Sequence, residues 1–272
     1  MSLPYDLITK LAQYDHLIVL KDWLNFFQQP PLKIVLHSEL DKAQVEQNLK
    51  SFGYTGEIIL VPFAEGDDLK NDETSILEKL VALCSTDIYI SINLDTLAYT
   101  SESGWLTQIM DDLMQNKYQF FTGCGLIFEA DRPIEGTEYI KTQRFSYNFC
   151  IMKRTLWQEI MEEFRDADID ESIRRFHCEW AIEQGLVKYN YWGRRRLDSM
   201  HWRVFHVQEW GPRMATVRRD FFAGIGINSY ANKIFEKTKY PWEQYYKYPK
   251  PNILKRFRIW LGEKRRRLLY AN

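Results

Sequence analysis

The apolar positions along the chain mark short strands that alternate with amphipathic helices. Short apolar runs bounded by Pro, Gly or charged residues are typical of buried strands, whereas apolar residues three or four positions apart are typical of one helix face. The first hundred residues contain four such runs, at residues 17–20, 34–37, 57–61 and 88–92. Helical spacing predicts helices over residues 41–52 and 72–83. This alternation predicts an α/β fold with right-handed crossovers and a mostly parallel central sheet.

The same pattern continues over the second half of the chain. Trp105, Ile109 and Leu113 recur at helical spacing after Ser103, which is a suitable N-cap residue. The other predicted elements are strands over residues 120–128, 144–153 and 187–192, and helices over residues 155–164 and 168–185. Together these elements predict one large domain over residues 1–215.

Two polar side chains follow the predicted strand at residues 88–92. Asn93 and Asp95 are separated by one residue, so on an extended chain they point the same way. In an open α/β sheet, ligands bind at the carboxyl ends of the strands. A carboxylate and an amide oxygen at that end predict a site for a hard cation and a diphosphate. The alternative is an ordinary turn, because Asn and Asp are common turn residues.

The composition predicts a folded chain that is not a general nucleic-acid-binding protein. The 272 residues are 45% hydrophobic and 15% aromatic, which is enough to bury a substantial core, and the formal net charge is only −1. The four cysteines (Cys84, Cys124, Cys150 and Cys178) form no C-x-x-C pair, which favours buried thiols in a reducing compartment. No signal peptide and no apolar run of membrane-spanning length is found, so we expect a cytoplasmic protein.

The chemistry of the chain changes after about residue 215. Residues 235–251 are rich in Tyr, Trp, Lys and Pro, and residues 254–272 contain seven basic residues and one acid, a net charge of +6. Phe257, Trp260 and Leu261 fall at helical spacing in this basic segment. We therefore predict an extension over residues 216–272 with a basic amphipathic helix that binds an anionic membrane surface at the inner membrane. Packing of that helix on the domain or on a second copy is the alternative.

Over residues 17–210, the order of these parts resembles GT-A-type glycosyltransferases, most closely the inverting family 2. The resemblance implies a Rossmann-related three-layer fold that binds a nucleotide sugar. The D-x-D motif of that family matches Asn93-Leu94-Asp95, so an amide stands in place of the first acid. The second acid, Asp95, is then the residue that binds the divalent metal, Mn²⁺ or Mg²⁺. The glycine-marked acceptor region corresponds to residues 123–128.

The resemblance also implies roles for residues later in the chain. The general base is one of the acids between residues 168 and 179, with Asp170, Glu171 and Glu179 as candidates. The tight Glu-Asp pair of family 2 is absent, since Asp170-Glu171 has the reverse order. The late histidine that completes the metal site in some members corresponds to His206. The predicted nucleotide-sugar-binding residues are Asn93, Asp95, His37 and Arg194.

These residue types suit sugar transfer. A divalent cation neutralises the leaving nucleoside diphosphate, and a carboxylate within about 3 Å of the acceptor hydroxyl accepts its proton. The basic run at residues 194–196 can clamp a diphosphate or an anionic acceptor. The acceptor is then a glycan or a lipid-linked molecule, the second being natural if the C-terminal helix lies on a membrane. Aromatic side chains can stack on sugar faces, the candidates being Trp105, Tyr147, Trp180, Trp202 and Trp210.

Each residue also has a purely structural interpretation. Glu179 and Glu183 have i,i+4 spacing and could both face water, and Asp170 could only cap a helix. His206 lies among apolar residues and could be a core histidine, as the aromatic side chains could be core residues. The arginine run could be a solvated turn.

Two other functions stay open. A non-catalytic GT-A-like binding or scaffold protein is suggested by Asn93, and a nucleotidyltransferase of similar architecture would release pyrophosphate. Other classes are disfavoured, because the chain has no G-x-G-x-x-G, no G-x-x-x-x-G-K and no G-x-S-x-G. A zinc site built from Cys178, His201 and His206 is also disfavoured, since the i,i+5 histidine spacing matches no common zinc motif.

Overall fold

The computed structural model describes residues 3–63, 73–123, 131–165, 177–207 and 214–224. Its strands are β1 (Asp6–Lys10), β2 (Lys33–His37), β3 (Glu57–Val61), β4 (Ile88–Ile92), β5 (Thr96–Thr100), β6 (Phe120–Thr122), β7 (Arg132–Pro133), β8 (Tyr139–Thr142), β9 (Phe149–Lys153), β10 (Gly193–Arg196) and β11 (Trp202–His206). Its α-helices are α1 (Leu17–Phe27), α2 (Lys42–Ser51), α3 (Glu73–Ala82), α4 (Trp105–Met114), α5 (Arg154–Phe164), α6 (His177–Lys188) and α7 (Met214–Phe222).

A mixed sheet forms the centre of the fold. Within the described ranges it has nine strands in the order β3-β2-β1-β4-β9-β6-β10-β8-β7. The four strands β3, β2, β1 and β4 are parallel, and β9 and β8 run against the rest. This confirms the predicted α/β class and the mostly parallel sheet. Strands β5 and β11 form a separate antiparallel pair.

Two hydrophobic cores lie on opposite faces of this sheet. On one face α1, α4 and the β5–β11 pair enclose an aromatic cluster that includes Trp23, Phe26 and Phe149. On the other face α3, α5 and α6 cover Ile8, Tyr89 and their neighbours. The predicted inward residues of α4 (Trp105, Ile109 and Leu113) are all buried in the first core. The sheet with helices on both faces gives the three-layer arrangement.

The first strand was placed wrongly by the sequence pattern. Residues 17–20 begin helix α1, and the central strand is β1, which begins eleven residues earlier. A four-residue apolar run does not distinguish a strand from a helix segment, and here Leu17, Leu20 and Phe27 belong to one buried helix face. The hydrophobic pattern does not predict β1, because this strand begins with a charged residue. Asp6 is fully buried, and it accepts a hydrogen bond from the Thr86 backbone N–H at 3.0 Å.

The prediction for residues 185–196 was also wrong. Gly185 does not end a helix but lies inside α6, where a Cβ atom would meet the Ile160 side chain at 2.6 Å. Residues 187–192 are not an edge strand, because α6 continues to Lys188 and the next strand, β10, lies inside the sheet. The arginine run is therefore a buried strand and not a solvated turn. The strand predicted over residues 144–153 is confined to β9.

Helix α7 extends the folded domain beyond the predicted boundary at residue 215. Its apolar side chains Met214, Val217 and Phe221 belong to the core around α1. Arg218 donates from Nε and Nη2 to the buried Asp22 carboxylate of α1, at 2.6 and 2.7 Å. Burial raises the pKa of Asp22 even against the charge of Arg218. The described domain thus runs through residue 224, and the predicted amphipathic helix beyond it lies outside the described residues.

We expect Arg218→Ala to lower the free energy of unfolding by about 2–3 kcal/mol, because it leaves a buried carboxylate without its cation. Urea unfolding measures the change. Lys50→Ala is the control, since that side chain is 68% exposed, lies 4.0 Å from the partly exposed Glu46 and should change stability by less than about 0.5 kcal/mol. Equal losses in the two variants would contradict the anchoring role of Arg218.

The described cysteines Cys84, Cys150 and Cys178 are buried thiols that form no disulfide with one another, as predicted, whereas Cys124 lies outside the described residues. Burial raises the pKa of Cys84 to about 12 and raises the pKa of Cys178 well above its usual range. These thiols are therefore unreactive core residues. No helix in the described part of the chain combines the length and the apolar character needed to cross a membrane.

Candidate functional site

The point where the strand order reverses lies between β1 and β4. From β1 the chain moves outward to β2 and β3, and it then returns to place β4 on the other side of β1. In open α/β sheets a crevice forms at such a reversal, at the carboxyl ends of the strands. The segment Asn93-Leu94-Asp95 leaves β4 at this end, in the middle of the sheet.

A tight turn carries the chain from β4 into β5. The Thr96 N–H donates to the Asn93 carbonyl at 2.9 Å, and the Leu94 side chain between them is buried. Strand β5 then pairs with β11, so that Thr96 lies opposite His206. The Val207 N–H donates to the Asp95 carbonyl at 2.7 Å. The pairing of these two strands therefore fixes His206 beside Asp95.

The Asp95 and His206 side chains form a partly buried pair. His206 Nε2 lies 3.2 Å from Asp95 Oδ2, and the side chains of His206 and Asp95 are 23% and 18% exposed, respectively. Asp95 Oδ1 is buried and has no hydrogen-bond partner among the described residues. A buried carboxylate oxygen is costly unless a donor or a cation satisfies it. The negative charge of Asp95 also acts on the buried His16. Burial lowers the pKa of His16, and the charge of Asp95 opposes that shift.

The donor set suits a divalent cation that is completed by substrate. A carboxylate oxygen and an imidazole nitrogen are both suitable ligands for Mn²⁺, and Mg²⁺ favours the oxygen. No group of three His, Cys, Asp or Glu residues within the described ranges could hold a metal ion. Magnesium-type sites commonly have one or two protein ligands and take the remaining oxygens from phosphates and water. The pair therefore fits a cation that binds together with a diphosphate.

The amide at position 93 is held by the segment before β9. Asn93 Nδ2 donates to Asn148 Oδ1 at 3.2 Å, and the Asn93 N–H donates to the Asn148 carbonyl at 2.9 Å. An aspartate at this position could not donate the first of these bonds. Ser91 Oγ donates to the Tyr147 carbonyl at 3.0 Å in the same neighbourhood. Residues 147 and 148 thus lie directly beside the end of β4.

Glu179 approaches the same neighbourhood from the first turn of α6. The Tyr147 N–H donates to Glu179 Oε1 at 3.2 Å, and Ser146 adds a side-chain hydrogen bond. Burial, and after it the charge of Glu183, raise the pKa of Glu179 to about 8 against the effect of these hydrogen bonds. A carboxyl group with this pKa is mostly protonated at pH 7 and accepts a proton once it ionises, at a pH near or above about 8. The two acids do not simply face water, because Glu183 is paired with Arg144 at 2.7 Å.

The other predicted site residues have different surroundings. His37 ends β2 at the same edge of the sheet, where its buried ring lies 4.3 Å from the Phe63 ring. Arg194 lies in β10, three strands from β4, where it pairs with Asp112 at 2.9 Å and stacks on Tyr139 at 4.1 Å. Its guanidinium is thus engaged by the protein, and its role in nucleotide binding stays a prediction. Asp170 and Glu171 lie outside the described residues.

Several candidates for sugar stacking belong to the core. Trp105 and Trp202 are buried against Phe26, and Tyr147 is buried in the opposite core. Gly123 allows the close approach of Trp202, whose ring a Cβ atom would meet at 2.3 Å. Trp210 lies outside the described residues. The sequence pattern also missed Lys10 at this edge, because it placed the first strand wrongly, and it did not single out Glu73, which pairs with Lys10 from the first turn of α3.

Comparison with solved structures identifies the fold. The structure of UDP-glucose pyrophosphorylase complexed with UDP-glucose superposes with a TM-score of 0.51 at 8% identity, over 81% of this chain and 99% of that one. The fold is GT-A-like. GalNAc-T7 with UDP, GalNAc and Mn²⁺ has a TM-score of 0.47 at 12% identity, over 94% of this chain and 54% of that one. S. aureus TarS 1–349 has a TM-score of 0.45 at 10% identity, over 93% of this chain and 77% of that one.

No family model and no curated protein matches the sequence. At 8% identity the structural likeness establishes the GT-A-like fold and leaves the reaction to be argued from the site.

Proposed function

We propose that this protein is a metal-assisted glycosyltransferase, which moves a sugar from a nucleotide-diphosphate sugar to a glycan or a lipid-linked acceptor. The observation that supports it most is the Asp95–His206 pair, which lies at the strand-order reversal of a GT-A-like fold and has a buried carboxylate oxygen without a described partner. The UDP-sugar and UDP complexes named above make a nucleotide-sugar donor the natural candidate ligand.

In this proposal Asp95 and His206 hold the divalent cation, Mn²⁺ or Mg²⁺. When bound, that cation neutralises the two phosphates of the leaving group. Asn93 fixes the turn that presents Asp95, through its bonds to Asn148. The cation held there would balance the negative charge of the donor diphosphate at the carboxyl end of β4.

Glu179 is the proposed general base. It accepts the proton of the acceptor hydroxyl as the oxygen forms its bond to the anomeric carbon, while the bond from that carbon to the phosphate oxygen breaks. The nucleoside diphosphate leaves with the electron pair of the broken bond. The backbone N–H of Tyr147 orients the Glu179 carboxylate, and Ser91 fixes the Tyr147 carbonyl in turn. The catalytic groups are thus linked to the strand that carries Asp95.

The proposed catalytic unit comprises the predicted residues 1–215 and the rest of helix α7, through residue 224, and the remainder of the predicted extension, to residue 272, follows it. If its predicted basic helix binds anionic lipid, a lipid-linked acceptor is the natural substrate. That part of the proposal rests on the sequence pattern alone.

Thermal unfolding with nucleotides tests the proposed donor site. We expect UDP, or another nucleoside diphosphate, to raise the melting temperature in the presence of Mn²⁺ and much less in EDTA. A ligand at 100 times its Kd stabilises a protein by about 2.7 kcal/mol, a shift of roughly 5 °C for a domain of this size. Uridine, which has no phosphates, is the control. No response to any nucleoside diphosphate would favour a scaffold role, and pyrophosphate release from a nucleoside triphosphate and a sugar phosphate would favour a nucleotidyltransferase.

A further inference from the structure

Lys10 ends the central strand at the edge of the sheet where the proposed donor binds. It is the last residue of β1 and lies opposite His37 in the parallel pairing with β2. On the other side of β1, Ile8 pairs with Ser91, so Lys10 and Asn93 each lie two residues beyond a paired position. The lysine and the turn that carries Asp95 therefore leave the sheet side by side.

The Lys10 ammonium is paired with the Glu73 carboxylate. Its Nζ lies 3.2 Å from Glu73 Oε1 and 5.9 Å from the centre of the Tyr147 ring, and its side chain is 21% exposed. Glu73 is the more deeply buried partner, and its Oε2 has no hydrogen-bond partner among the described residues. An anion that binds Lys10 therefore competes with the Glu73 carboxylate for the ammonium.

Lys10 and Asp95 reach this edge from opposite faces of the sheet. Ile8 and Tyr147 belong to the core under α3 and α6, and Lys10 contacts residues of that face. Asp95 leads into β5, whose residues belong to the core around α1. A diphosphate that crosses the edge would meet the proposed metal site on one side and the ammonium on the other. Asn93, which lies between them, is neutral and does not compete for the lysine.

We propose that Lys10 binds the diphosphate of the donor directly and shares its neutralisation with the cation at Asp95. The inference rests on the proposed function and names a further residue of its donor site. It implies that part of the affinity for the diphosphate remains when the metal is removed. A charge-assisted hydrogen bond contributes enough that its loss weakens binding by about 10- to 100-fold.

Calorimetric titration of the full chain tests this role, with UDP, GDP, ADP, inorganic pyrophosphate and uridine as probes, each with Mn²⁺ and with EDTA. We expect Lys10→Met to weaken diphosphate binding about 10- to 100-fold in both media and to leave uridine binding unchanged. Lys10→Arg should retain most of the affinity, because it keeps the charge. Lys33→Met is the matched control, since Lys33 begins β2 at the opposite edge and pairs with Glu57 at 3.6 Å.

Glu73→Gln provides a second test that does not depend on the folding of Lys10→Met. This variant keeps the lysine and the shape of the acid side chain and removes the negative charge that competes for Lys10, so we expect it to bind diphosphates severalfold more tightly. Weaker binding by Glu73→Gln, or unchanged binding by a folded Lys10→Met, would overturn the role of Lys10 and leave the proposed function standing. A wild-type chain that binds no diphosphate in either medium would overturn both.

Discussion

Asp95→Ala is expected to lose the metal-dependent part of nucleoside diphosphate binding and to slow sugar transfer on the order of 10³-fold. Asp95 is the only acid in the turn after β4. Its Oδ1 is buried without a hydrogen-bond partner among the described residues, so it is available to coordinate a cation. Without it the leaving diphosphate keeps its full charge, and every 1.36 kcal/mol of lost stabilisation costs tenfold in rate. Calorimetry with and without Mn²⁺ measures the binding, and release of nucleoside diphosphate from the sugar donor measures the turnover.

Two controls separate this loss from damage to the fold. Asp111→Ala removes an exposed acid of α4 and should change neither binding nor turnover. Asp95→Asn retains the shape of the side chain but not its charge, so we expect it to fold normally and to show most of the defect. Wild-type metal dependence in either Asp95 variant would show that the cation binds elsewhere. In His206→Ala we expect a smaller loss of metal affinity, because the carboxylate remains.

Glu179→Gln is expected to slow turnover by about 10²- to 10⁴-fold with little change in donor binding. The amide keeps the hydrogen bond from the Tyr147 N–H and cannot accept the proton of the acceptor hydroxyl. Steady-state kinetics and donor titration measure the two quantities separately. If the large loss falls instead on Asp170→Asn or Glu171→Gln, that residue is the base and Glu179 has a structural role.

The pH dependence of the reaction identifies the same group. Glu179 accepts a proton only as a carboxylate, so the wild-type kcat/KM should rise with pH through an apparent pKa of about 8. Glu183→Gln removes the neighbouring charge that helps to raise this pKa, and its profile should shift to lower pH. The stability effect has the opposite direction. Because the folded state holds this proton more tightly than the unfolded state, the Glu179 contribution to stability falls as the pH rises from about 4.5 to about 8.

Local patterns were sufficient to predict the sheet class and the turn that carries Asp95, but not the residues that contact Asp95. The run from Ile88 to Ile92 predicts β4, and the polar residues that follow it predict the turn. The contact between Asp95 and His206 depends on the pairing of β5 with β11 across 111 positions of sequence. The hydrophobic periodicity of a local segment does not indicate which distant strand that segment pairs with. His206 was nominated by the family resemblance, and the pairing of strands explains why it lies there.

Charged residues with buried partners account for most of the errors in the predicted elements. Asp6 and Lys10 made β1 look unlike a central strand, because the hydrogen bonds to Ser85 and Thr86 and the pair with Glu73 are not visible in sequence. The arginines of β10 looked solvated for the same reason. Arg196 is buried by two bonds to Glu102 and one to Glu138, from distant parts of the chain. In each case a tertiary partner overrides the local preference.

The most direct test of the account is the position of Mn²⁺ in a crystal of the full chain grown with Mn²⁺ and UDP, measured by anomalous scattering. The account predicts one manganese peak about 2.1 Å from an Asp95 carboxylate oxygen, with His206 beside it and diphosphate oxygens completing its coordination. A nucleotide bound with its manganese away from Asp95 would contradict it.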